Sequence, residues 1–71
     1  SDIGTLVAVY ENMKPKDAAA LFEQMTPDFA AGFLGLMDAE SAAQIMTLVP
    51  PDTSYSISVV LAGRNANVPT E

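Results

Sequence analysis

Two periods run together through this chain of 71 residues. Within a segment, apolar residues step by three and four. The segments themselves restart every twelve residues, and from Met13 they read MKPKDAAALFEQ, MTPDFAAGFLGL, MDAESAAQIMTL and VPPDTSYSISVV. The first block position holds Met13, Met25, Met37 and Val49, and the third holds Pro15, Pro27, Ala39 and Pro51. The ninth holds Leu21, Phe33, Ile45 and Ile57. Self-similarity at a fixed period marks a repeat architecture. The fourth block departs most, with Ser54-Tyr55 standing where the others hold Ala-Ala, as a terminal capping repeat does.

Each block has the grammar of one short helix. Thr26 and Asp38 suit an N-cap, where a side-chain oxygen accepts from an orphan amide of the first turn. Pro15, Pro27 and Pro51 suit the first helical position, where the missing N–H costs nothing. Asp17, Asp28, Glu40 and Asp52 fall in the first turn, where the helix dipole favours negative charge. The i, i+3, i+4, i+7 rule then gives one apolar face per block. Those faces are Ala18, Leu21, Phe22 and Met25; Ala30, Phe33, Leu34 and Met37; Ala42, Ile45, Met46 and Val49; and Ser54, Ile57, Ser58 and Leu61.

A proline inside a continuing helix removes a hydrogen bond and clashes with the preceding turn, so its recurrence forces breaks. Helices this short are unstable alone in water and must stack. The chain therefore reads as all-α, a compact array of short helices whose hand the spacing leaves open. Only Ser54 to Leu61 alternates like a strand, and the repeat register makes it helical too. Gly63 follows the last periodic residue and reads as a C′ stop. The expected organisation is a leading helix over residues 1–12, a repeat domain over 13–63 and an extended tail over 64–71. In the leading helix Ile3, Leu6, Tyr10 and Met13 have seam spacing. It either closes one end of the array or ends a longer dimerising coiled coil.

Composition narrows the function. There is no Cys and no His, which removes disulfides, thiolate metal sites and the commonest general base. The expectation is a binding or structural module, not an enzyme, with no cofactor. Nine acids against three bases give a net charge of −6, which argues against nucleic acid and anionic membrane surfaces. No apolar run has the length of a membrane span. The first residues carry no signal-peptide pattern, and the chain lacks an initiator Met, so upstream segments are expected.

Little else carries chemistry. The acids read as first-turn residues on solvated faces, with a weak divalent-cation site as the alternative. Three of the four Met residues, Met13, Met25 and Met37, recur at one repeat position, and the Met residues read as core. Phe29 occupies a position that holds Asp17, Ser41 and Thr53 elsewhere; Leu36 stands where Gln24 stands in the first block, although Leu48 and Val60 stand there in the last two. Both are candidate partner contacts, since an apolar residue at an outward position offers contact surface. Tyr10 and Tyr55 are candidates of the same kind, either contact aromatics or packed ends.

The segment YENMKPKDAAALFEQM, the further AA-centred blocks and the tail AGRNANVPTE resemble the C-terminal domain of the MotE family of α-proteobacterial flagellar motility proteins. The most specific pieces are Tyr10 to Ala19 and Gly63 to Pro69. The AA-block pattern is also similar to the intracellular N-terminal domain of MgtE magnesium transporters and the FliG-type helical superhelix. The resemblance implies a compact right-handed superhelical array, armadillo-like. It also implies a bacterial periplasmic chaperone domain that stabilises the motility protein MotC and is a homodimer in the full-length protein. The MgtE likeness implies instead a regulatory Mg²⁺-sensing domain. An oligomerising scaffold is the third reading.

Overall fold

In the computed structural model, which describes residues 1–66, five helices follow one another and no strand occurs among the described residues: α1 (Asp2–Asn12), α2 (Pro15–Phe22), α3 (Pro27–Leu34), α4 (Ala39–Leu48) and α5 (Pro51–Ala66). The last four begin at residues 15, 27, 39 and 51, each one block after its predecessor. The repeat reaches down to single hydrogen bonds. At the end of α2 the amides of Glu23, Gln24 and Met25 donate to the carbonyls of Ala19, Leu21 and Phe22. At the end of α3 those of Gly35, Leu36 and Met37 donate to Ala31, Phe33 and Leu34, the same set moved by one block.

Sterics place the breaks. A residue before proline is pushed out of the helical region. Lys14, Thr26 and Val49, each followed by Pro, are extended at φ/ψ of −61/133°, −68/152° and −82/143°. Asp38 takes the same conformation, −66/153°, without a proline after it. Its carboxylate accepts the Ser41 amide at 2.8 Å and the Ser41 hydroxyl at 3.2 Å. Those bonds hold the Asp38 carboxyl below its ordinary range, the Ser41 amide having the largest effect. Thr26 caps α3 by accepting the Phe29 amide at 3.3 Å, and Ser1 caps α1 through Gly4 at 3.1 Å. Lys14 offers no side-chain cap to α2.

Packing is between next-but-one helices: α2 lies against α4, and α3 against α5. Ala18 and Ala30 are wholly buried, so they let backbones approach closely. Phe22, Ile45 and Ile57 are the largest fully buried side chains. Ser54 explains part of the degenerate block. Pro50 has no amide to give the Met46 carbonyl, and the Ser54 hydroxyl donates to that oxygen at 2.9 Å. Serine thus replaces the usual alanine where α4 ends on a proline. The α1 helix joins the array through buried Val7, through Tyr10, and through Glu11, whose Oε2 accepts the Asp38 amide at 2.9 Å.

The structure departs from the sequence reading in three places. Leu21 stays 42% exposed although Phe33, Ile45 and Ile57 at the same block position are buried. Next, α5 runs on through Gly63 to Ala66, so the expected stop and the first residues of the expected tail are helical. Gly63 has no positive φ, and the following residue, Arg64, bonds to α3 and ties down the last turn. Residues 67–71 of that tail lie outside the described residues. Finally, Tyr10 is a packing residue, edge-on to Phe33 at 4.6 Å between ring centroids and to Phe22 at 6.0 Å.

Candidate partner-binding groove

The continuation of α5 contributes Arg64 to a concave feature. Arg64 Nη2 donates to the backbone carbonyl of Asp28 at 2.9 Å, which lays the guanidinium across α3. It passes over Gly32. A Cβ there would stand 3.0 Å from Arg64 Nη1, so the glycine is what admits the side chain. Phe29 on α3 and Leu36 in the turn just after it flank that notch, three residues before Gly32 and four after it. With Ile3 of α1 they line a cavity of about 470 Å³ that is open along one side. That is within the roughly 300–1,000 Å³ usual for binding clefts.

The walls are apolar. Phe29 stacks on Phe33 with ring centroids 6.0 Å apart and planes 14° apart, and is itself 56% exposed. Leu36 is 59% exposed, and Ile3 is exposed as well. Polar groups sit at the rim: Thr26, Asp28 and Arg64. The one ion pair among the described residues joins Lys16 to Asp17 at 3.6 Å, so Arg64 meets a neutral carbonyl and not a carboxylate there.

Of the four contact residues expected from the sequence, two come together in this groove, Phe29 and Leu36. Tyr10 is packed among the core aromatics. Tyr55 is 72% exposed but is not among the groove-lining residues. Ile3, Gly32 and Arg64 are groove residues that the sequence reading missed. Gly32 had a signal, since its block position holds Ala20, Gln44 and Ser56 in the other copies. Arg64 had none once Gly63 was taken as a stop.

Among the described residues no three or more His, Cys, Asp or Glu side chains converge as a metal site, and no helix is long and apolar enough to cross a membrane.

A family model described as the MgtE intracellular N domain matches residues 2–62. The chain belongs to that family. The match covers all four blocks and α1, and the all-helical array is consistent with a domain of that family. Of the two segments that carry the MotE resemblance, Tyr10 to Ala19 lies within the match and Gly63 to Pro69 beyond it. No curated protein and no solved structure matches the chain.

Proposed function

We propose that this MgtE N-type domain is a protein-binding module whose groove receives an apolar segment of a client. The observation that carries the reading is the exposure of Phe29 and Leu36 on either side of the Gly32 notch, against Ile3. Isolated exposed apolar residues are ordinary, but a walled recess between them is a docking feature. From the MotE resemblance, the client is MotC, the setting is the bacterial periplasm, the role is that of a chaperone in flagellar motility, and the full-length protein is a homodimer. The family's description is of an intracellular domain, so the periplasmic setting rests on the resemblance alone. The proposal contains no catalytic step. A chain with neither His nor Cys in its 71 residues is suited to binding.

The test is capture of purified MotC by the immobilised domain, with Phe29→Ser/Leu36→Ser as the comparison. Capture by the wild type and loss in the folded variant support the reading. Equal capture by both removes the groove from it.

The family match favours a second reading, a Mg²⁺-responsive regulatory domain. Among the described residues no three carboxylates converge as a cage, and Asp38 is engaged with Ser41 and Glu11 with the Asp38 amide. A rise in Tm with millimolar Mg²⁺ would support this reading by mass action, and an unchanged Tm would remove it for the isolated domain.

A further inference from the structure

The outer face of α5 lies apart from the groove. The helix packs on α3 and α4, and on its opposite side Tyr55 is 72% and Val59 is 52% exposed. Gly63 follows Val59 by four residues, as Val59 follows Tyr55, so the three form one row along the helix. Gly63 is exposed, its φ is not positive, and a Cβ on it would meet no atom of its own chain within 4 Å. A glycine inside a helix costs about 0.5–1 kcal/mol relative to alanine. Neither backbone conformation nor packing within the chain requires one here. Close approach by another molecule is a reason that remains.

We infer that this row is a self-association surface, on which α5 of a second copy lies antiparallel with Val59 at the two-fold axis.

Spacing selects the second copy. A two-fold axis at Val59 sets Val59 against Val59 and places Tyr55 of each copy opposite Gly63 of the other. The largest side chain of the row meets the position with none, twice over, so the row is its own complement, as an isologous interface demands. Tyrosine suits such a site, because its ring is covered while its hydroxyl stays wet at the edge.

Charge agrees. The chain carries −6, yet residues 53–63 hold no charged side chain, so a charged partner finds no counter-charge on the row and a neutral one fits it. Arg64, the next residue, is drawn to the Asp28 carbonyl on α3. Asp52 stands seven residues before Val59, so the two copies' Asp52 are about 21 Å apart along the helices, twice the screening length of about 10 Å at 0.1 M salt. One helix face is narrower than the roughly 800 Å² per partner of a standard interface, so the association is weak and shows at high concentration.

Sedimentation equilibrium of the full chain, from about 10 μM to about 1 mM, tests this. The weight-average mass should climb from 7.5 kDa towards twice that and no further. Added salt should strengthen the association by screening the repulsion between copies. Gly63→Leu occupies the place of the partner's Tyr55 ring and favours the helix, so it should fold at least as stably as the wild type. It should weaken association about ten-fold or more, and Val59→Lys, which sets two cations at the axis, should do the same. Phe29→Ser/Leu36→Ser, with native circular dichroism, should associate like the wild type. A mass that stays at 7.5 kDa throughout overturns the inference, and so does growth beyond a dimer. Association that survives Gly63→Leu and Val59→Lys, or that is lost only in Phe29→Ser/Leu36→Ser, puts the interface elsewhere and overturns it too.

Discussion

The Ser54 hydroxyl donates to the Met46 carbonyl at 2.9 Å, joining the start of α5 to the end of α4. The bond fills a vacancy that the chain itself creates. In an α-helix that carbonyl accepts from the residue four positions on, which here is Pro50 and has no N–H. An unpaired, partly buried carbonyl costs about 1–3 kcal/mol. Ser54→Ala would restore the alanine of the other blocks and gain a few tenths of a kcal/mol in helix propensity. The carbonyl dominates, so the substitution should lower Tm, by about 4–8 °C for each net kcal/mol. Thermal unfolding that is unchanged or raised would show that water replaces the hydroxyl without loss.

Acid should loosen the start of α4. The Asp38 carboxyl is held below its ordinary range by the Ser41 amide first and the Ser41 hydroxyl next. A depressed folded value means that the stabilisation is present above the ordinary carboxylate range. It is lost as pH falls through the folded value. Tm measured as pH is lowered should therefore fall less steeply in Asp38→Asn, which keeps a capping oxygen but no titrating group. Parallel curves for the two proteins would exclude Asp38 as a contributor.

Adjacent residues in α2 should respond very differently to truncation. Phe22 is fully buried and Leu21 is 42% exposed. Phe22→Ala should cost about 3–5 kcal/mol. A domain of this length has a total stability of only about 4–10 kcal/mol, so this variant should be largely unfolded near body temperature. Leu21→Ala should stay folded with a small loss, and urea midpoints would separate the pair. Similar midpoints would mean that the first repeat buries a different face.

Gly32→Ala separates stability from binding. The added Cβ meets the far end of the Arg64 side chain, which can swing aside. Removing a glycine from a helix interior is worth up to about 1 kcal/mol. The variant should be as stable as the wild type or more so, while the Arg64 guanidinium, displaced from Gly32, alters the groove and weakens client capture. Lower stability with normal capture would contradict both the Arg64 placement and the groove.

Much of this architecture was legible in the sequence because proline is a strong local constraint. Pro15, Pro27 and Pro51 each begin a helix, and Lys14, Thr26 and Val49, each just before a proline, are extended. The all-helical class and the outward placement of Phe29 followed from block register, whereas that of Leu36, whose position also holds Leu48 and Val60, followed less clearly. What was not legible depends on tertiary contacts. Gly63 reads as a stop because glycine commonly ends helices, yet Arg64 finds its acceptor on α3, 36 residues earlier in sequence. Tyr10 could not be placed because its partners, Phe22 and Phe33, belong to two different repeats. Leu21 follows the block pattern yet stays exposed, so block position alone does not decide burial.

The claim that the α1–α3–α5 groove is a docking site is tested most directly by titrating the ¹⁵N-labelled domain with MotC and following amide chemical shifts. The account predicts that the shifts concentrate at Ile3, Phe29, Gly32, Leu36 and Arg64 while Tyr55 stays still. Shifts centred on Tyr55 or on the α2–α4 pair, with the groove amides unmoved, would contradict it.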